Sequence, residues 1–299
     1  MNTDYRVKFK NLLASKKNLL VVGASSPVEV LAMQAAGFEA AYLSGAALSI
    51  KKGFLDEGDL SLEEVAREAR EIMRVADIPL IVDCDTVLLS AKTESYKSYE
   101  EVEAIERMVF VLENAGVAAV QIEDQVSAKK RCGHLAGKEL ISMDDMFWKV
   151  RIASLKKKNL AVIARTDARA VEGLEFAIWR AHQYISAGAD MIFPEALESL
   201  EEFIEFRKAV DSVPLVANLT THGKTPSSIS AEHLFGAGYQ IVLLPVPQRI
   251  LFKKFEEILK EARHYGSLTA PVMRGEMSSR DQINDFIKKN SKVYKKTAG

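Results

Sequence analysis

Val117-Ala118-Ala119-Val120-Gln121-Ile122-Glu123-Asp124-Gln125 is a short apolar run that ends in two carboxylates, and the way it ends carries the fold. Residues 117–122 suit a buried strand. Glu123 and Asp124 therefore leave a strand end and enter a long polar loop, 123–138, where α/β folds often carry their chemistry. The loop gathers Lys129, Lys130, Arg131, Cys132, Gly133 and His134 within a few residues. Nearby cations favour the thiolate, so Cys132 beside Lys130, Arg131 and His134 is a candidate proton donor or acceptor near neutral pH. A lone cysteine among basic residues is more often inert, and a single loop imidazole more often an anchor than a base. Local composition leaves those alternatives open.

Outward from this run the pattern repeats. Strand-like apolar runs occupy 19–22, 40–43, 80–82, 118–122, 161–164, 191–193, 215–217 and 241–244. Helical periodicity falls between them, at 27–36, 61–76, 98–115, 144–156, 174–187, 200–210 and 231–235, and several of these stretches end at a glycine such as Gly37, Gly116 or Gly188. Eight strands alternating with helices imply a parallel sheet, and right-handed crossovers close it into an α/β (β/α)8 TIM-type barrel. A doubly wound open sheet is the alternative. An amphipathic helix at 5–16, with Tyr5, Phe9, Leu12 and Leu13 on one side, is expected to cover one end of the barrel. No linker or repeat divides the chain, so residues 1–299 read as one domain whose polar, Lys-rich tail, 267–299, contains a helix at 279–288.

Composition bounds the function. With 299 residues, 48% of them hydrophobic, the chain can bury a barrel-sized core, and a net charge of -1 provides no field to recruit nucleic acid or an anionic membrane. Two cysteines, Cys84 and Cys132, make no disulfide framework and suit a reducing cytoplasm. The first ten residues lack the apolar core of a secretion signal, and no apolar run approaches the ~18 residues of a membrane span.

In a barrel, the residues just past each strand line one mouth. Collected on that basis they are Tyr42, Ser44, Gly45 and Ala46; Asp83 and Asp85; Glu123 and Asp124; Arg165, Thr166 and Asp167; Glu195; Asn218 and Thr220. Asp83 and Asp85 are two apart, so on a strand they face the same side and can share a cation, with Mg²⁺ or Mn²⁺ suited to hard oxygens. A solvated pair, or one neutralised by Arg165, is the alternative. Consecutive N–H groups at Ser44-Gly45-Ala46 suit a carboxylate or enolate oxygen. Arg165 can clamp a carboxylate, though a buried ion pair with an acid such as Glu195 is an equal contender. Histidines 182, 222, 233 and 264 have no metal-ligand spacing.

These motifs resemble, over about 21–286, the isocitrate lyase and phosphoenolpyruvate mutase superfamily, nearest to its 2-methylisocitrate lyase and carboxyphosphonoenolpyruvate mutase branch. They are Tyr42-Leu43-Ser44-Gly45, Leu55-Asp56, Asp83-Cys84-Asp85, Glu123-Asp124-Gln125, Lys130-Arg131-Cys132-Gly133-His134, Arg165-Thr166-Asp167, Pro194-Glu195, Asn218-Leu219-Thr220, Gly223-Lys224-Thr225-Pro226 and Met277 to Arg280. The resemblance implies a (β/α)8 barrel with its last helix swapped between subunits of a homotetramer, a swap the C-terminal tail could supply. It implies Mg²⁺ near Asp83 and Asp85, with Asp56 and Glu123 around it. The pyruvyl half of the substrate would lie on Tyr42, the backbone of Ser44, Gly45 and Ala46, and Arg165. Cys132, with Lys130, Gly133 and His134 in its gating loop, would protonate the departing half, and Glu195, Asn218, Leu219, Thr220 and Arg280 would contact that half. The implied activity is a carbon–carbon lyase releasing pyruvate and succinate from 2-methylisocitrate. A phosphonomutase, an oxaloacetate decarboxylase and a catalytically silent metabolite-binding barrel are the alternatives.

Four places depart from the family pattern. Val87-Leu88-Leu89-Ser90 stands for its Gly-aromatic-Gly turn, and Thr221-His222 for its acid and aromatic after Asn-x-Thr. Leu244-Pro245-Val246-Pro247 replaces its Tyr-Pro end of strand eight, with Arg249 one position early. The gating loop carries one extra residue between Gln125 and Cys132.

Overall fold

A computed structural model of the chain describes residues 4–15, 18–57, 59–87, 99–126, 137–220 and 224–295. Eight parallel strands run β1 Leu19–Ala24, β2 Ala41–Leu43, β3 Leu80–Asp83, β4 Ala119–Glu123, β5 Ala161–Thr166, β6 Met191–Pro194, β7 Val216–Asn218 and β8 Ile241–Leu244. Their order is β6-β5-β4-β3-β2-β1-β8-β7. A parallel bridge from Ile192 to Leu215 brings the two ends of that order together, so the sheet is a nearly closed (β/α)8 barrel and not an open, doubly wound sheet.

The strands are apolar on both faces because each is sandwiched. Val22, Leu43, Val82, Val120 and Val162 point out against the helices. Val21, Tyr42, Ile81, Ile163, Phe193 and Leu243 point in and fill the barrel. The helix Tyr5–Ala14 sets fully buried Phe9, flanked by Leu12 and Leu13, among the buried residues Leu19 and Ala161, which begin β1 and β5, and Ala40, which precedes β2. It closes the lower end, as its periodicity predicts.

The surrounding helices begin and end where local chemistry dictates. Ser61 and Glu64 form a capping box at the start of Leu62–Val75, and Pro27 opens Pro27–Ala35. Leu174–Ala187 stops at Gly188, at φ +108°. Besides the short helices Thr269–Met273 and Lys292–Lys295, two helices lie outside the sequence-based expectations. Gly45–Lys52, capped by Ser44, occupies what reads as a tight turn, and Gln248–Tyr265 is an 18-residue helix that buries only Gln248. The tail helix Arg280–Asn290 folds back on the chain's own barrel, where Gln34 donates to the Asn290 carbonyl at 2.9 Å. No helix among the described residues is long and apolar enough to cross a membrane.

Candidate active site

The upper rim of the barrel is polar, and its acids are buried. Asp83 is the last residue of β3. Its Oδ1 accepts from Gln121 Nε2 at 3.1 Å and from the Asp85 amide at 3.2 Å, while Oδ2 accepts from the Gly45 amide at 3.2 Å. Asp85 does not continue the strand: it sits in a turn at φ +46°. The turn still turns its carboxylate toward that of Asp83. A Cβ on Gly45 would lie 3.3 Å from Asp83 Oδ2 and 3.4 Å from Asp85 Oδ1. The two acids thus converge on the first residue of Gly45–Lys52, where helix polarity favours negative charge. Val87 follows at φ +96°, a left-handed conformation costly for a β-branched side chain, at a place where the family pattern has a glycine turn.

Arg165, on β5, is the cationic centre of the opposite wall. Its Nε and Nη2 donate to the two oxygens of Asp167 at 2.9 and 3.0 Å. Nη1 lies 3.4 Å from Glu123 Oε2, Nη2 lies 3.5 Å from Glu195 Oε2, and the guanidinium rests 5.5 Å from the Phe193 ring centroid. The ion pair anticipated for Glu195 is present and is shared among three acids. Asp167 is also bonded by Lys138, whose ammonium is buried. Burial pushes the Asp167 carboxyl up, but Arg165 and Lys138 outweigh it and hold it below the usual carboxylate range.

Two further networks lock the rim. Asp124 accepts from Thr166 Oγ1 at 2.7 Å, the Asp167 amide at 2.9 Å and Tyr184 Oη at 2.8 Å, so it ties β4 to the end of β5. Its burial raises the carboxyl pKa. Behind the same strand end, Lys149 Nζ donates to the Glu123 carbonyl at 3.0 Å, and burial pulls that ammonium down to about 8. On the next wall Thr220 Oγ1 donates to Asn218 Oδ1 at 2.6 Å, and Asn218 Nδ2 donates to Glu195 Oε2 at 3.1 Å. Glu195, Asn218 and Thr220 therefore form one chain that ends on Arg165. Leu219 packs against the outer core.

Of the remaining candidates, Ser44 caps its helix by accepting from the Ala47 amide at 3.3 Å, and Ala46 lies in that helix's first turn. Tyr42 is buried inside the barrel, and its Oη donates to Gln121 Oε1 at 2.7 Å. Asp56 is half-buried in the segment after Gly45–Lys52. Arg280 is exposed at the head of the tail helix, with no hydrogen bond or ion pair among the described residues. Lys130, Cys132, Gly133 and His134 lie outside the described residues, as do Leu88 to Ser90, Thr221 and His222. The residues flanking 127–136 are held at the rim: the Val126 amide donates to the Glu139 carbonyl at 2.8 Å and the Ile141 amide to the Asp124 carbonyl at 2.9 Å.

Sequence reasoning gave no site role to Gln121, Lys149 or Tyr184, nor to Lys138, which figured only as the end of the polar loop. The signal for Gln121 was an amide inside an apolar run; Lys138 carried none beyond its place after Gly137.

Among the described residues no three acid, histidine or cysteine side chains close around one point. The Asp83 and Asp85 pair therefore fits a cation that takes few protein ligands and completes its shell with water and substrate oxygens, as Mg²⁺ does.

Residues 9–263 match the family model described as phosphoenolpyruvate phosphomutase. The chain is 42% identical over 290 residues to a 2-methylisocitrate lyase of Aeropyrum pernix, covering 95% of this chain and 90% of that one. It is 40% identical over 281 residues to a 2-methylisocitrate lyase of Halalkalibacterium halodurans, covering 94% and 88%. Among solved structures, a 2,3-dimethylmalate lyase of the PEP mutase/isocitrate lyase superfamily superposes with a TM-score of 0.85 at 26% identity, covering 100% of this chain and 94% of that one.

Proposed function

This chain belongs to the phosphoenolpyruvate mutase/isocitrate lyase family as a carbon–carbon lyase, and from that premise we propose that it cleaves a 2-methylisocitrate-like tricarboxylate to pyruvate and succinate with Mg²⁺. The observation that carries the proposal is the convergence of Asp83 and Asp85 on the Gly45 amide at the barrel mouth. These two carboxylates would hold the cation, with Mn²⁺ an acceptable substitute, and Asp56 and Glu123 would lie around them. Bound there, Mg²⁺ would supply Lewis-acid stabilisation of negative charge on the oxygens of the pyruvyl half.

The protein's own groups do the rest. At 44–46 the Ser44 amide is taken by the Ala24 carbonyl and the Gly45 amide by Asp83, so the Ala46 amide and Arg165 are left to orient the pyruvyl carboxylate; one edge of the guanidinium is committed to Asp167, which leaves the Nη1 side, beside Glu123, to turn to substrate. When the substrate hydroxyl loses its proton, the carbon–carbon bond breaks and its electron pair passes to the succinate half. The Cys132 thiol delivers a proton to that carbon, with Lys130 and His134, its neighbours in sequence, assigned to the same step and Gly133 to substrate binding. Glu195, Asn218, Leu219 and Thr220 face the succinate half, and Arg280 is assigned to the same half.

The proposal extends to a cytoplasmic homotetramer with an exchanged helix. Its support is Gln248–Tyr265, which leaves Phe252 63% and Phe255 61% exposed; the tail, which folds back on its own barrel, is not the helix offered for exchange.

The test is release of pyruvate and succinate from 2-methylisocitrate with Mg²⁺, and its loss with EDTA. No turnover in either condition removes the lyase assignment to this substrate. Cys132→Ser is expected to abolish cleavage while leaving Mg²⁺ binding in place; an unchanged rate would take the acid role away from the thiol.

A further inference from the structure

Gln121 is fully buried in the centre of β4, facing into the barrel beneath Asp83, its register partner on β3. A primary amide taken out of water costs about 2–7 kcal/mol unless its hydrogen bonds are made. Here both ends are engaged. Tyr42 Oη donates to Oε1 at 2.7 Å, and Nε2 donates to Asp83 Oδ1 at 3.1 Å. The two ends of the amide are chemically distinct, and only one orientation works. Were the amide turned over, its carbonyl oxygen would face a carboxylate oxygen, two acceptors with no proton between them. The phenol, by donating to Oε1, holds the amide with its N–H group toward Asp83.

The other donors to Asp83 are the Gly45 and Asp85 amides, with the neutral Tyr42 phenol also interacting with this carboxylate directly. Among the described residues, then, each hydrogen-bond donor to this acid is neutral. A lysine or arginine in place of Gln121 would orient the carboxylate equally well but would cancel its charge.

We propose that Gln121, oriented by Tyr42, is a positioning residue for the cation site: it fixes the Asp83 carboxylate sideways and leaves its full negative charge for a divalent cation shared with Asp85. This rests on the reading of Asp83 and Asp85 as the cation-holding pair. It also moves Tyr42 from substrate contact to the support of an acid.

The experiment is a Mn²⁺ titration followed by electron paramagnetic resonance on the full chain without substrate, with circular dichroism and thermal melting to confirm folding. Loss of a supporting hydrogen bond to a metal-holding carboxylate typically weakens binding by about 10- to 100-fold. Gln121→Leu is expected to fall in that range, and Tyr42→Phe to weaken binding in the same direction by a smaller factor. A folded Gln121→Leu variant that binds Mn²⁺ as tightly as wild type overturns the positioning role and leaves the cation pair intact. If Gln121→Leu does not fold, Tyr42→Phe decides, and an unchanged dissociation constant overturns the proposal. Wild-type protein that binds no Mn²⁺ removes the cation pair and this inference with it.

Discussion

Gly45 is the residue at which the chemistry of this molecule is most confined. Its missing side chain leaves the space into which two carboxylates lean, 3.3 and 3.4 Å from where a Cβ would stand. Gly45→Ala should push Asp83 and Asp85 apart without touching the hydrophobic core. A displacement of about 1 Å at a reacting site can cost up to about 100-fold; contacts of 3.3 and 3.4 Å ask for a smaller shift, so kcat/KM is expected to fall several-fold, to about tenfold at most, with little change in melting temperature. Steady-state kinetics beside a melting curve checks this, and an unaltered kcat/KM would show that the pair is not where turnover happens. Asp167 poses the opposite case, a structural acid. Arg165 and Lys138 both donate to it, and Asp167→Asn removes the charge they share while Arg165 keeps Glu123 and Glu195, a loss of up to about 3 kcal/mol at pH 7. Its folded pKa is lowered, so its contribution is present above the unfolded value of about 3.9 and fades as pH falls through the folded value. Denaturant unfolding of both proteins should therefore show their stability gap narrowing below about pH 4.

At the scale of elements, the helix Gln248–Tyr265 is out of keeping with the rest of the chain. The other long helices bury a stripe against the barrel; this one buries Gln248 alone and presents Leu251, Phe252, Phe255 and Leu259 to solvent. Apolar residues three and four apart on an exposed helix form a continuous face, the kind of surface that subunits cover. Replacing Phe252 and Phe255 together with serine should shift the protein to a smaller species by light scattering on a sizing column, with helical circular dichroism retained. Co-elution of the variant with wild type would place the subunit contact elsewhere.

For the molecule as a whole, the barrel is unevenly stitched. β4 and β5 pair from Ala119 with Ala161 to Glu123 with Arg165, whereas β6 and β7 meet at one bridge, Ile192 to Leu215. Local opening follows such differences in backbone pairing. Hydrogen exchange should be slowest in β4 and β5 and measurably faster in β7. Uniform protection around the ring would mean that the seam is no weaker than the rest. The strongly paired strands are also those that end in Glu123, Asp124 and Arg165, so the least yielding part of the barrel carries the polar wall of the site.

The residues by themselves determined the eight strands, the barrel and the rim acids, because buried parallel strands read as unbroken apolar runs and the groups that follow them fall on one mouth. The family was equally legible in its spaced motifs. Only the tertiary structure decided that Asp83 and Asp85 converge through a turn at positive φ instead of along a strand, that Arg165 is divided among Asp167, Glu123 and Glu195, and that Gln121 spans the interior from Tyr42 to Asp83. The physical reason lies in the long-range contacts among them: Gly45 with Asp83, Arg165 with Glu123 and Glu195, and Gln121 with Tyr42 and Asp83. Hydrogen bonds and ion pairs join groups tens of residues apart in the chain, and which donor reaches which acceptor depends on the closure of the barrel, which no local pattern encodes.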